Sequence, residues 1–196
     1  MERDPTRKVM DMDPSERSAS SSVRARLALI VVLVICMACA SCSPQIDKSG
    51  FEERQTQLDS LAQRAVASIL QALGASLSDQ PDALGYVLEC KSGSDNLGYN
   101  VAANVTYRSR SNKSAAAVIG HELETLGMDV HVRSEDSVVK AESDYFTVDA
   151  TPNSPRATGT SMSLSFNMEC VKIADGRAGE LSQQPDRSIA IAEDSP

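Results

Sequence analysis

Two histidines are the side chains of this sequence best suited to metal binding or to general acid–base catalysis. His121 begins the pentapeptide His-Glu-Leu-Glu-Thr. A zinc site built on one helix needs imidazoles at positions i and i+4, which share a face, but Thr125 occupies the second position. His131 lies between two valines in an alternating segment, so we expect it to face solvent. The spacing therefore predicts no metal site and no cofactor, and an enzyme would have to bring His121, His131 and nearby carboxylates into one cleft.

Other catalytic and nucleotide-binding patterns do not occur in the sequence. It has no G-x-S-x-G nucleophile elbow, no G-x-G-x-x-G turn and no G-x-x-x-x-G-K-[ST] phosphate loop. The formal net charge is -8 and only 4% of the residues are aromatic. Binding to nucleic acid depends on clustered Lys and Arg that neutralise phosphates, so this balance excludes a nucleic-acid partner. The sequence favours a non-enzymatic binding or accessory protein, and the alternative is an enzyme with an unrecognised site.

The most informative segment is an apolar run over residues 27–40, which follows Arg24 and Arg26. A membrane-spanning helix needs about 20 apolar residues, whereas the apolar region of a secretory signal peptide needs about 7–15 behind a basic flank. The length therefore predicts a signal peptide over residues 1–41. The alternative is an N-terminal membrane anchor that is not cleaved, which would make the protein a bitopic membrane subunit. The basic flank stays in the cytoplasm in both cases, so we expect the remaining chain to lie outside it.

The apolar run ends in Ala40-Ser41-Cys42, and two small residues before a cysteine resemble the lipobox of bacterial lipoproteins. The lipobox favours Leu three residues before that cysteine, where this chain has Cys39. The resemblance implies that the Cys42 thiol receives a diacylglyceryl group and that the signal peptide is removed before this residue. Two or three acyl chains give stable retention on a membrane, which predicts a lipid-anchored protein on the extracytoplasmic face of the cell membrane.

The cysteine count supports Cys42 over Cys39 as the lipid acceptor. Cleavage before Cys42 leaves two further cysteines, Cys90 and Cys170, which is the number that one disulfide needs, whereas cleavage before Cys39 leaves three. Both Cys90 and Cys170 are predicted on the inward faces of strands. We therefore expect a Cys90–Cys170 disulfide in the core layer, and the alternative is a pair of buried reduced thiols.

Hydrophobic periodicity predicts the elements that position these residues. The S-x-x-E spacing of Ser49 and Glu52 is typical of a capping box, and apolar residues then recur at steps of three and four as far as Leu73, before Gly74. A second helix is predicted over residues 114–126. Alternation predicts strands over residues 84–90, 97–107, 128–132, 145–148 and 162–170. In the first of these strands the even positions are predicted to form the buried face: Leu84, Tyr86, Leu88 and Cys90.

This element order predicts an α+β fold, an antiparallel sheet of four to five strands with two helices packed on one face and one disulfide. We assign residues 42–50 to the lipidated cysteine and a tether, residues 51–173 to the domain, and residues 174–196 to a flexible C-terminal tail.

With the lipobox-like cysteine, the amphipathic first helix and a late strand that closes with a cysteine, the pattern is similar to the small cell-envelope lipoproteins of actinobacteria. The similarity implies location and shape. The expected partners are the membrane, through the lipid anchor, and an envelope protein, glycan or lipid.

Overall fold

The computed structural model describes residues 44–74, 82–108, 111–153 and 161–191. In chain order the elements are β1 (Gln45–Ile46), α1 (Lys48–Leu73), β2 (Ala83–Glu89), β3 (Asn96–Thr106), α2 (Asn112–Thr125), β4 (Asp129–Arg133), β5 (Val138–Glu142), β6 (Phe146–Pro152), β7 (Ser161–Ile173), α3 (Ala178–Ser182) and β8 (Arg187–Ile189).

The described strands form one sheet in the order β4-β5-β6-β7-β3-β2-β8, and β1 lies beside the end of β7. The neighbours pair antiparallel, except that β1 runs parallel to β7. The α+β class and the antiparallel sheet are therefore confirmed. The expected strand number was wrong, because the sheet has eight strands rather than four to five.

Helix α1 buries the apolar stripe that the sequence predicts. Its buried side chains include the predicted set of Leu58, Leu61, Ala62, Ala65, Val66, Ile69, Leu70 and Leu73. Gly74 ends the helix in the left-handed conformation, with φ of 68°, where a residue without a Cβ is favoured. The helix starts earlier than predicted because Asp47, not Ser49, is the N-cap: its carboxylate accepts a hydrogen bond from the Gly50 backbone N–H at 2.8 Å.

One face of the sheet, the inner face, packs against the helices. Strands β3 and β7 point their apolar residues to this side, including Tyr99, Val101, Leu164 and Phe166, as predicted. Helix α2 packs closely against β4 at Gly120, where a Cβ would lie 2.8 Å from Val132 Cγ2. The side chains of the inner face and of the helices form one buried core.

Strand β2 buries the opposite face from the one predicted. Ala83 and Gly85 are buried, whereas Leu84 and Leu88 point away from the helices and are each 43% exposed. The physical reason is the bulk of Tyr99 on the neighbouring strand: a Cβ at Gly85 would lie 2.0 Å from the Tyr99 hydroxyl oxygen. Nothing larger than glycine fits at position 85, although Val87, which pairs with Tyr99, also lies on the inner side and is partly buried. The larger residues Leu84 and Leu88 lie on the other side, the outer face.

The C-terminal residues are part of the domain as far as residue 191, where the sequence predicts a tail. Strand β8 pairs with β2, and Leu181 and Ile189 are buried. This segment also runs alongside α1. The side-chain contacts that join the two include Lys48–Glu180, Gln55–Gln184, Asp59–Arg187 and Gln63–Ala190. The expected tether is likewise shorter, because β1 begins at Gln45 and α1 at Lys48.

Candidate functional site

The predicted lipidation residue, Cys42, lies outside the described residues, as does the apolar run over residues 27–40. Lipidation and the signal peptide therefore stay predictions. Among the helices that the structure describes, none is long and apolar enough to cross a membrane.

The two histidines do not share a site. His121 is an exposed residue of α2, 4.0 Å from Glu124 of the same helix. His131 lies on β4 between Val130 and Val132, which point toward Gly120 of α2, so the imidazole is on the outer face of the sheet. The sheet separates the two rings. Within the ranges described above, no group of three or more His, Cys, Asp or Glu side chains is placed to hold a metal ion.

Cys90 and Cys170 form a disulfide, with an S–S distance of 1.97 Å and a Cα–Cα distance of 6.1 Å. The predicted position in the core layer was wrong, because both cysteines are exposed. Cys90 shares the outward direction of Leu88. In β7 two residues, Glu169 and Cys170, oppose the single residue Gly98 of β3, and this β-bulge shifts the alternation so that Val171 is buried instead.

The described helices leave the outer face of the sheet uncovered. On β7 it consists of Ser161, Ser163, Ser165 and Asn167, which alternate with four buried apolar residues. Leu84, Tyr86 and Leu88 of β2 lie on the same face, next to Asn100 and Ala102 of β3. We call the six residues Leu84, Tyr86, Leu88, Asn100, Ser165 and Asn167 the outer patch. The disulfide borders the outer patch at Gly98, the residue that pairs with Leu88, because a Cβ there would lie 3.4 Å from Cys90 Sγ.

Asn100 occupies the centre of the outer patch, with Tyr86 opposite it on one neighbouring strand and Asn167 on the other. Its amide nitrogen donates hydrogen bonds to Ser165 Oγ at 2.7 Å and to Asn167 Oδ1 at 2.5 Å. Asn100 is only 3% exposed, and its side-chain oxygen Oδ1 is buried without a hydrogen-bond partner among the described residues. A buried acceptor left unpaired costs about 1–3 kcal/mol, and among the described residues this is the one buried side-chain atom without a partner.

A second polar cluster, of Asp59, Tyr99 and Arg187, lies on the inner side of the sheet. The Tyr99 hydroxyl donates a hydrogen bond to Asp59 Oδ1 at 2.9 Å, and Arg187 Nη1 lies 3.5 Å from Asp59 Oδ2. The pKa of Tyr99 is raised, mainly because the phenol is buried and secondly because it donates a hydrogen bond to the Asp59 carboxylate. The phenol therefore stays protonated and donates to Asp59 rather than acting as a base. The cluster joins α1, β3 and β8 and is a structural contact.

The inner cluster gives a pH-dependent prediction. Asp59 is only 16% exposed, and burial raises its pKa above the usual 3.8 more than Tyr99 and Arg187 lower it. The unfolded chain then releases this proton at lower pH than the folded one does. The contribution of Asp59 to the free energy of unfolding is largest below pH 3.8 and decreases as the pH rises through the folded pKa.

Asp59→Asn removes this titration and keeps an acceptor for Tyr99, so the variant should gain stability relative to the wild type as the pH rises from about 3.5 to 6. Urea unfolding at a series of pH values measures the difference. Asp129→Asn, at an exposed position of β4, controls for the loss of one negative charge. A difference that is constant with pH, or that changes in the opposite direction, would contradict the assignment.

Two open depressions border α1. One, of about 440 Å³, is lined by polar residues at the contact with the C-terminal segment, including Gln55, Gln184 and Arg187. The other, of about 390 Å³, lies between α1 and the ends of β4 and β6 and is lined in part by Leu61, Leu126, Met128 and Phe146. At its border Arg54 lies 4.5 Å from the centre of the Tyr145 ring. Neither brings together a nucleophile, a base and an oxyanion donor, which acyl transfer would need.

The outer patch was not predicted, because the alternation in β2 placed Leu84, Tyr86 and Leu88 in the core. A signal for it was present in β7, where serine or asparagine fills each outward position. Comparisons of the chain with protein-family models, with curated proteins and with solved structures find no match.

Proposed function

We propose that the mature chain is a lipid-anchored protein on the extracytoplasmic face of a bacterial cell membrane, and that it acts as a non-enzymatic binding or accessory protein. The anchor is a diacylglyceryl group on Cys42. The binding surface is the outer face of the sheet, centred on the outer patch.

The disulfide is the observation that carries the location. Cys90 and Cys170 are both exposed and are bonded to each other. Exposed disulfides persist in oxidising compartments outside the cytoplasm and are rare inside it. The bond also uses both cysteines that follow Cys42, which leaves Cys42 as the acceptor for the lipid in the mature chain.

The uncovered sheet face supports binding as the role. Antiparallel sheets in small domains bury one face and leave the other to solvent, and that second face is then polar. Here, however, the solvent face carries two large apolar side chains, each 43% exposed, beside a buried amide with an unpaired acceptor. Exposed apolar side chains that cluster beside polar ones are typical of interaction surfaces.

The alternative of an envelope enzyme has less support. It would need polar groups that converge in a concave site. The two histidines lie on opposite sides of the sheet, and the partly buried carboxylate of Asp59 is engaged by Tyr99 and Arg187.

Intact mass spectrometry of the membrane-extracted protein, with and without reductant, tests the proposal. We expect a mature chain that begins at Cys42, carries acyl groups, and gains the mass of two hydrogen atoms on reduction. Cys42→Ala should abolish both acylation and cleavage, whereas Ser43→Ala serves as the neighbouring control and should leave both unchanged. A full-length, unacylated wild-type chain that does not respond to Cys42→Ala would overturn the lipoprotein assignment and favour an uncleaved membrane anchor.

A further inference from the structure

We infer that the end of the domain formed by Tyr145 and the start of α1 rests on the lipid headgroups of the membrane. This inference rests on the proposed function, because it takes the anchor at Cys42 as given, and it adds the surface that meets the lipid. Three observations support it: the chain between Cys42 and β1 is very short, β1 is fixed to the sheet, and an exposed aromatic ring lies at the same end.

Only one residue separates Cys42 from the part of the chain that is fixed to the sheet. The Pro44 carbonyl accepts a hydrogen bond from the Lys172 N–H at 2.9 Å, and the Ile46 carbonyl accepts one from the Ala174 N–H at 2.8 Å. An extended chain gains at most about 3.6 Å per residue, so Pro44 lies within about 7 Å of the lipidated residue. The domain is therefore held close to the bilayer.

This reach is comparable with the lipid headgroup layer, which is about 5–7 Å thick on each side of the hydrocarbon core. The residues beside Pro44 must then meet the headgroups. Along β7, Glu169 precedes Lys172 by three residues, and the Glu169 N–H donates to the Tyr145 carbonyl at 3.4 Å. At about 3.3 Å per residue, Tyr145 is about 10 Å along the strand from the level of Pro44. It therefore belongs to the same end of the sheet.

The side chain of Tyr145 suits a headgroup layer. It is 48% exposed, and Cζ of Arg54, on α1, lies 4.5 Å from the centre of its ring. Tyrosine is enriched at membrane–water interfaces because its ring is apolar and its hydroxyl is polar. A guanidinium stacked on the ring keeps N–H donors for a lipid phosphate. The pair thus offers an aromatic surface and a phosphate ligand side by side.

The charges at this end are mixed, so the short tether, rather than electrostatic attraction, holds it at the membrane. Lys48 and Arg177 lie 3.3 and 3.9 Å from the same carboxylate oxygen of Glu180. The chain as a whole has a formal net charge of -8. Long-range attraction to anionic lipid needs an excess of Lys and Arg. We therefore expect the contact to form on vesicles of zwitterionic phosphatidylcholine.

Tryptophan fluorescence tests the inference, because the chain has no tryptophan of its own. The membrane-extracted protein is reconstituted into phosphatidylcholine vesicles, with or without bromine near the ester end of the acyl chains. Bromine quenches only nearby indole rings. Tyr145→Trp keeps an aromatic ring beside Arg54, and its emission should fall about twofold in the brominated vesicles.

Two further single-tryptophan variants are the controls. Gln71→Trp places the ring at an exposed position in the last turn of α1, about 35 Å from the start of the helix at 1.5 Å per residue. Leu84→Trp places it on the outer face of the sheet, where Leu84 is 43% exposed. Both should emit nearly equally in the two kinds of vesicle. An intact disulfide and an unchanged unfolding midpoint show that each variant is folded.

Equal emission of Tyr145→Trp in plain and brominated vesicles would overturn the inference. Quenching of Leu84→Trp as strong as that of Tyr145→Trp would also overturn it, because the outer face would then lie flat on the bilayer. The mass of the mature chain tests the anchor separately. An acylated chain without quenching at position 145 refutes only this inference, whereas an unacylated chain refutes the lipoprotein proposal.

Discussion

Replacing Gly85 by alanine is expected to lower the free energy of unfolding by about 3 kcal/mol. The new methyl group would lie 2.0 Å from the hydroxyl oxygen of Tyr99 and 2.9 Å from its Cζ. Tyr99 is only 1% exposed and is held by the hydrogen bond to Asp59, so its ring cannot move aside without breaking that bond. Chemical denaturation of the purified protein measures the loss.

Two further variants separate this collision from a general effect of alanine. Gly179→Ala, in α3, introduces a methyl group with no atom within 4 Å and should leave stability nearly unchanged. Tyr99→Phe removes the atom at 2.0 Å, so Gly85→Ala should cost less when combined with Tyr99→Phe than in the wild type. A Gly85→Ala protein as stable as the wild type would mean that β2 does not pack against Tyr99 in this register.

Removal of the disulfide is expected to have an effect of similar size. Cys90 and Cys170 are separated by 80 residues, and a loop of this length gives a stabilisation of about 4 kcal/mol in the chain-entropy model. Because both cysteines are exposed, the Cys90→Ala/Cys170→Ala double variant loses little packing. Its unfolding midpoint therefore reports the cross-link itself.

Reduction of the wild type supplies the matched measurement. The reduced wild type and the double variant should unfold at nearly the same denaturant concentration, below that of the oxidised wild type. A loss under about 1 kcal/mol would indicate that residual structure already keeps these two segments close together in the unfolded chain, so that the cross-link removes little entropy from it.

The parts of the fold that the sequence predicted are those in which one apolar period continues without interruption. Helix α1 keeps its 3.6-residue stripe along its whole length, and the inward residues of β7 alternate from Met162 to Met168. Where the alternation is interrupted, the prediction fails. The bulge at Glu169 and Cys170 exchanges the two faces, and no single residue type in that stretch marks it.

Strand β2 shows a different limit. Its even positions are the more apolar, and periodicity alone places them inside. Which face of β2 is buried depends on Tyr99, whose ring fills the space beside Gly85. That contact arises from the pairing of β2 with β3, which periodicity within one strand does not reveal. The position of the outer patch follows from this choice of face. The short strand β8 was missed for a related reason, since three residues are too few to show a period.

Strand β7 lies between β6 and β3, and so it joins two halves of the sheet that are otherwise separate. It begins at Ser161, and the residues that brace α1 follow only after it, from Glu180 to Ala190. If the proposed signal peptide directs export from the N-terminus, β7 and the C-terminal segment cross the membrane last, and the centre of the sheet cannot form before they do. On that proposed route, we expect folding to wait until almost the whole chain has crossed, which would keep the protein unfolded during transport.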